Sequence, residues 1–185
     1  WLDQRCLAFF NQFPQGLGIE CGAGLSTRFH RLSEQHEWPR FAWVDIDTEE
    51  RMLLKSNAMP VIDNYQLLAD KQEINQLVSE IAWDKSTPLM IVVDSFSYSL
   101  DSVWLKSLVH SLLAKRHAGT PICLYMVLEA SPCWYEKLLG WVGLPVYRHW
   151  QTIFADLGGE LGSIKYFGKN TRAKQEMVMG LELNF

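Results

Sequence analysis

One stretch of the sequence, LGIECGAGLS at residues 17–26, decides the fold. Its first half, Leu17–Cys21, is largely apolar and predicts a short buried strand. Gly22 and Gly24 follow, and glycine allows a tight turn in which the backbone can approach a ligand closely. Residues 25–32 then predict a helix, whose N-terminus favours an anionic group. The plainer alternative is a tight turn that binds nothing.

Apolar runs alternate with amphipathic stretches along the rest of the chain. Strands that alternate with helices imply βαβ units and a mostly parallel sheet. The last two predicted strands have no long helix between them, so we expect them to form an antiparallel hairpin. The strands are predicted at 17–21, 41–46, 65–69, 89–93, 121–128, 164–168 and 176–185, and helices at 2–13, 25–32, 47–56, 74–81 and 102–117.

Carboxylates follow the predicted parallel strands. Ligands of such sheets bind at the carboxyl ends of the strands. Asp45 lies where a carboxylate can accept both ribose hydroxyls of an adenosyl group, and Asp70 where one can accept the adenine amino group. Asp70 could equally cap the helix that follows it. We assign Asp47 to a helix cap, with Glu50 at capping-box spacing. Asp94 ends a buried strand, where an unpartnered carboxylate is costly, and this indicates a functional role.

Composition and charge narrow the class of protein. The 185 residues predict a single domain, 1–185. The net charge is −4 and the basic residues are scattered, which argues against a nucleic-acid partner. We also expect no membrane partner, because the longest apolar runs are far shorter than a membrane span. No leader opens the chain, and the four cysteines lack zinc-site spacing, so we expect a reducing cytoplasm. Oligomeric state is left open.

The residues around the glycine turn resemble a known family. GAGLSTRFHRL at 22–32 resembles the GAGLDTR…RL signature of the leucine carboxyl methyltransferase family, which includes bacterial O-methyltransferases associated with polyketide biosynthesis. WVDID at 43–47 is similar to its EVDLP segment, LADK at 68–71 to AADL, and IVVDSFSYSL at 91–100 to IAEGLLMYL. These segments occur in the family's order.

The resemblance implies a Rossmann-like class I fold with S-adenosylmethionine (SAM) as cofactor. It implies transfer of a methyl group to a carboxylate or hydroxyl of a small, polyketide-like metabolite. In this family the glycine turn and the acid after strand four contact the methionyl part, and the acids after strands two and three bind the ribose and lie near the adenine. The cofactor-binding residues predicted here are Glu20, Gly22, Ala23, Gly24, Asp45, Ile46, Asp70, Lys71 and Asp94.

The chain departs from the family in several places. Ser26 stands where the family has Asp, and Asp94 is one methylene shorter than the family's Glu. Glu20 replaces a usual Asn and completes the general E-x-G-x-G methyltransferase motif. The family's upstream arginine, which binds the SAM carboxylate, has no counterpart before Trp1. Two alternatives stay open: an N-terminal segment is missing from the sequence, or the protein binds SAM differently or weakly.

Methyl transfer from a sulfonium needs alignment and a dry site above all. A carboxylate acceptor needs no base, whereas a hydroxyl acceptor is helped by one. The candidates for that base are Tyr98 and His149, and Tyr98 could equally serve packing. We interpret His30 and His110 as surface or packing residues. An apolar acceptor pocket could be lined by Trp134, Trp141, Tyr147 and Trp150.

Two other classes of function compete with this one. A catalytically degenerate methyltransferase fold, kept as a binding or assembly module, is favoured by Ser26, the short Asp94 and the missing upstream arginine. A NAD or nucleotide-sugar enzyme is the third alternative. The third glycine of a dinucleotide fingerprint is absent after Gly24, and the expected terminal hairpin also argues against that class.

Overall fold

The computed structural model describes residues 1–35, 40–60, 62–70, 73–94, 102–129, 152–167 and 178–185. Its strands are β1 (Leu17–Cys21), β2 (Ala42–Asp47), β3 (Tyr65–Ala69), β4 (Leu89–Asp94), β5 (Ile122–Glu129), β6 (Glu160–Phe167) and β7 (Val178–Asn184). Its helices are α1 (Leu2–Gln12), α2 (Arg28–Ser33), α3 (Glu49–Ala58), α4 (Ile74–Glu80) and α5 (Ser102–Lys115).

The strands form one seven-stranded sheet in the order β3-β2-β1-β4-β5-β7-β6. Neighbouring strands from β3 to β5 pair in parallel, whereas β7 pairs antiparallel with both β5 and β6. The predicted mostly parallel sheet with a C-terminal antiparallel hairpin is therefore confirmed. β1 lies between β2 and β4, so the order reverses there, and this is the point at which open α/β sheets bind ligands.

Apolar side chains cover both faces of the sheet. Residues 89–93 of β4 are at most 5% exposed, as expected for a central strand buried on both faces. On one face, α4 and α5 pack through Leu77, Leu108 and Leu112. On the other face, α1 and α2 pack through a cluster that includes Phe10 and Phe29. The carboxyl ends of the central strands therefore lie between two packed layers of helices.

The register brings the ends of the central strands together. Cys21 of β1 pairs with Ile46 of β2 and with Val93 of β4. The residues that follow, Gly22 and Asp94 among them, therefore lie at one edge of the sheet. Within the described part of the chain, no helix is long and apolar enough to cross a membrane.

Two predicted helix starts are wrong. The helix after the glycine turn begins at Arg28 rather than residue 25, because the Ser26 amide donates back to the Ala23 carbonyl and lengthens the turn. The N-cap of α3 is Thr48, not Asp47. Asp47 remains the last residue of β2, because its carbonyl accepts the amide of Asp70 as part of the strand pairing.

We expect Gly18→Ala to destabilise the fold by about 1–3 kcal/mol, the usual cost of overpacking a core. A Cβ at Gly18 would run into the six-membered ring of Trp43 and lie 3.2 Å from Phe10. Chemical denaturation of the purified protein measures this. Leu54→Ala, at a side chain 62% exposed on α3, is the control and should change little. If the Gly18→Ala variant were as stable as the natural protein, the close packing of the Trp43 ring on Gly18 would be contradicted.

Candidate functional site

Hydrogen bonds hold the glycine turn against the end of β2. Gly22 and Gly24 have φ values of +69° and +50°, which favour glycine. The amides of Gly22 and Ala23 donate to the carbonyl of Ile46, at 2.8 and 3.2 Å, and the Gly24 amide donates to the Asp47 carboxylate at 2.6 Å. Ala23 and Ile46 are themselves buried, so they contribute backbone rather than side chains to this edge.

Gly24 has room beside it among the described residues. Of these, the nearest atom that a Cβ built on Gly24 would meet is Asp47 Oδ2, at 3.9 Å. The absence of a side chain at Gly24 therefore leaves room for a ligand to touch the backbone at the start of the segment that leads into α2. This cradle fits the methionyl or ribose part of an adenosyl cofactor.

A buried guanidinium joins three carboxylates beside the turn. Arg28 donates through Nε to Asp3 at 2.8 Å, through one terminal nitrogen to Glu20, and through the other to Asp94 at 3.2 Å. Its side chain is 6% exposed. We call Asp3, Glu20, Arg28 and Asp94 the arginine cluster. It brings two predicted site residues, Glu20 and Asp94, to one point.

The arginine cluster carries more negative than positive charge. Burial raises the pKa of Glu20 to about 7, although the Arg28 guanidinium partly offsets this, and Ser26 donates a hydrogen bond to it at 3.2 Å. The neighbouring carboxylates in turn raise the pKa of Arg28, against the effect of its own burial. Burial therefore favours the neutral form of Glu20 within the arginine cluster.

Asp45 is enclosed rather than presented at the edge. Its carboxylate accepts hydrogen bonds from Trp43 Nε1 at 2.8 Å, from the ammonium of Lys55 and from the hydroxyl of Tyr65. Asp45 and Lys55 are 1% and 0% exposed. Asp45 pairs in register with Glu20 of the arginine cluster, but its carboxylate is already bonded to Lys55 and Tyr65, and its predicted ribose role stays a prediction.

Asp47, which the sequence analysis assigned to a helix cap, bonds to the glycine turn instead. It bonds the Gly24 amide, the Thr48 amide at 2.7 Å and the guanidinium of Arg51 at 3.1 Å. The Arg51 side chain is 40% exposed, in contrast to the buried partner of Asp45. The signal was present in the D-I-D spacing, because alternate strand residues share a face and the later one lies nearer the edge.

The other predicted residues divide into two groups. Asp70 is half-buried at the end of β3, and its amide donates to the Asp47 carbonyl at 2.9 Å, so it lies at the same edge. His110 is exposed on α5, and His30 packs its ring 5.5 Å from that of Tyr65. The predictions that lie outside the described residues are those for Lys71, Tyr98, Trp134, Trp141, Tyr147, His149 and Trp150.

A cavity of about 480 Å³ adjoins the arginine cluster. It opens at the carboxyl ends of β4 and β5, on the side of the sheet that α1 and α2 cover. Sequence reasoning did not find this cavity, because it depends on how the first turn of α1 packs. The described residues that line it are Trp1, Leu2, Asp3, Arg28, Arg31, Asp94, Val127 and Phe167.

No family model matches the chain, and no curated protein matches it. Solved structures do match. A SAM-dependent methyltransferase from Methanosarcina mazei is 12% identical, with 96% of each chain covered and a TM-score of 0.61. A SAM-dependent methyltransferase from Aquifex aeolicus is 17% identical, with 98% of this chain and 88% of that one covered and a TM-score of 0.57.

A third match is the magnesium protoporphyrin IX methyltransferase of Synechocystis PCC 6803, solved with bound S-adenosylhomocysteine (SAH). It is 11% identical, with 99% of this chain and 81% of that one covered and a TM-score of 0.58. Likeness at these identities shows the fold. The predicted Rossmann-like class I methyltransferase fold is thereby confirmed, and the finer family resemblance stays a prediction.

We expect Lys55→Met to destabilise the protein by about 3–5 kcal/mol, because it leaves the Asp45 carboxylate buried without its cation. Lys106→Met is the matched control, since Lys106 forms an exposed pair with Asp156 at 2.7 Å and its loss should hardly matter. Thermal and denaturant unfolding of both variants test this. Similar stability of the two variants would show that Asp45 is not enclosed.

We expect the stability of Glu20→Gln relative to the natural protein to increase as pH rises. The folded pKa of Glu20 is about 7, above the usual 4.5, so the natural chain loses unfolding free energy between about pH 4.5 and pH 7 as Glu20 ionises. From pH 4 to pH 8 the difference should shift by about 1–3 kcal/mol in favour of Glu20→Gln, whatever its sign at pH 4. Denaturant unfolding at several pH values measures it.

Glu160→Gln, at an exposed carboxylate, is the control for this prediction and should show a difference that is flat with pH. A flat difference for Glu20→Gln would mean that Arg28 fully compensates the buried charge, and the predicted direction would be wrong.

Proposed function

We propose that the protein is a SAM-dependent O-methyltransferase that acts on a small metabolite. The observation that carries the proposal is the turn Gly22–Gly24, which has positive φ at both glycines and is bonded to Asp47, at the point where the strand order reverses. The seven-stranded sheet with reversed β7 is shared with SAM-dependent methyltransferases, and one of these binds SAH. The cradle and the surrounding acids fit such a cofactor.

Asp47 is the residue we assign to the ribose. Asp45 would have to leave the fully buried Lys55, whereas Asp47 would only exchange the exposed guanidinium of Arg51 for ribose hydroxyls. Releasing a partner that water can reach costs far less than stripping a buried ion pair.

The start of α3 supports the same assignment. In the EVDLP segment that residues 43–47 resemble, a proline stands two positions after the acid. Proline favours the first position of a helix. In this chain that position is Glu49, two residues after Asp47. Aligned on the helix start, the acid before the helix corresponds to Asp47, and Asp45 corresponds to the glutamate of the segment.

The arginine cluster is suited to the amino-acid end of the cofactor. That end carries one ammonium and one carboxylate. Glu20 and Asp94 offer negative charge to the ammonium, whereas the Arg28 guanidinium is already bonded to Asp3, Glu20 and Asp94. Asp70, at the end of β3, is the candidate for the adenine.

When bound, SAM supplies an electrophilic methyl group for an in-line displacement. This chain's part is to bind, to align the acceptor and to exclude water, which is where most of the acceleration of such a transfer arises. Tyr98 and His149 remain the predicted bases for a hydroxyl acceptor.

The finer assignment follows the resemblance at residues 22–32. It includes a relationship to the leucine carboxyl methyltransferases and a polyketide-like acceptor. It also includes a single domain at 1–185 that works in the cytoplasm. Its partners include neither nucleic acid nor a membrane. The scattered basic residues and a net charge of −4 support the part of it that excludes a nucleic-acid partner.

Calorimetry with SAH tests the proposal. We expect micromolar binding, weakened about tenfold or more in Asp47→Asn, since a good hydrogen bond to a charged group contributes about 1.5–3 kcal/mol. Asp84→Asn is the matched control, at an exposed carboxylate that bonds Ser86. It should bind SAH as the natural protein does.

Failure of the natural protein to bind SAH up to millimolar concentration would contradict the proposal. It would favour the second candidate, a catalytically degenerate methyltransferase fold that serves as a binding or assembly module. The enclosure of Asp45 by Lys55 and Tyr65 is the observation that supports this second candidate.

A further inference from the structure

The cavity beside the arginine cluster has one apolar wall. Trp1 and Phe167 contact edge to face there, with ring centroids 6.2 Å apart, and Leu2 and Val127 extend the wall. The Trp1 ring also meets Tyr125 edge to face at 6.4 Å. A Cβ on Gly180 would lie 2.9 Å from the same ring, so Trp1 rests on bare backbone. This wall is built by close packing and suits a flat apolar ligand.

The opposite wall is charged, and its cations are already engaged. Arg28 binds the three carboxylates of the arginine cluster. Arg31 donates to Asp3 at 3.0 and 3.1 Å and to Thr27 at 2.8 Å. Among the described residues that line the cavity, the carboxylates of Asp3 and Asp94 balance the two guanidiniums, and the buried carboxylate of Glu20 lies behind Arg28. The wall therefore offers an anionic ligand no free guanidinium.

This charge balance discriminates between acceptors. An acceptor carboxylate would have to displace Asp3 or Asp94 from an arginine and would bring a further negative charge into a half-buried site. A neutral hydroxyl can donate a hydrogen bond to a carboxylate that is already in place. Like charges at close range repel most strongly where water is scarce.

We propose that the cavity binds the methyl acceptor and that this acceptor is an aromatic hydroxyl compound, not a carboxylic acid. The inference rests on the proposed function. The acceptor ring lies against Trp1 and Phe167, and its hydroxyl faces Asp94. In the transfer, the hydroxyl oxygen forms a bond to the methyl carbon, the carbon–sulfur bond breaks, and its electron pair stays on sulfur as SAM becomes SAH. The hydroxyl proton is released to water at the mouth of the cavity.

Two fragments of equal shape test the charge argument. Binding of 1-naphthol and of 1-naphthoate is measured by ligand-observed NMR at pH 8, with and without saturating SAH. We expect 1-naphthol to bind at least tenfold more tightly than 1-naphthoate. In Asp3→Asn, which frees guanidinium donors of Arg28 and Arg31, the affinity for 1-naphthoate relative to that for 1-naphthol should rise about fivefold.

A matched pair of variants tests the apolar wall. Phe167→Leu should weaken 1-naphthol several-fold, because it removes the ring that faces the cavity. Phe185→Leu changes the same residue type on the same hairpin, but Phe185 packs on Phe154 on the other face of the sheet. Its binding of 1-naphthol should equal that of the natural protein.

The outcomes separate this inference from the proposed function. Preference of the natural protein for 1-naphthoate, or equal losses in Phe167→Leu and Phe185→Leu, would overturn the inference even where SAH binds in calorimetry. Absence of SAH binding together with the expected preference for 1-naphthol would overturn the proposed function and leave the selectivity of the cavity standing.

Discussion

Ion pairs from the Arg28 guanidinium connect the elements that meet at the edge of the sheet where the candidate site lies. From the first turn of α2 the guanidinium reaches Asp3 in α1, Glu20 in β1 and Asp94 at the end of β4. A buried cation is stable only where its partners are held in good geometry, and each buried carboxylate likewise needs the cation. Three separate elements are therefore fixed relative to one another by one side chain. The position of α1, and with it the cavity, depends on this contact.

The two acids of β2 bond to different parts of the structure. Both point to the same face, because alternate residues of a strand share a face. Asp45 lies one pair of residues inside the sheet, where Lys55 and Tyr65 enclose it. Asp47 lies at the rim, where its carboxylate holds the Gly24 amide. The inner acid anchors α3 to β2, and the outer acid shapes the turn.

Much of the fold follows from the sequence. Continuous apolar runs and the change from alternating helices to a terminal hairpin suffice to predict the sheet, and the glycine turn marks its ligand-binding edge. The choice between Asp45 and Asp47 could not be made in that way. It depends on whether β2 ends one residue later and on where the Lys55 ammonium lies, ten residues further along, once α3 has packed. Neither leaves a local pattern in the sequence.

The arginine cluster could not be predicted from the sequence either, because it also depends on where a helix begins. Arg28 lies within the signature at residues 22–32, but charged residues in helices are mostly exposed, so its burial is not the default expectation. It is buried because α2 begins late, at Arg28 itself, after a turn that is lengthened by the bond from Ser26 to Ala23. A helix that began at Leu25 would have carried Arg28 around by nearly a turn. The extended turn thus places the guanidinium within reach of Glu20 and Asp94, so one backbone feature determines both the shape of the glycine turn and the charge beside it.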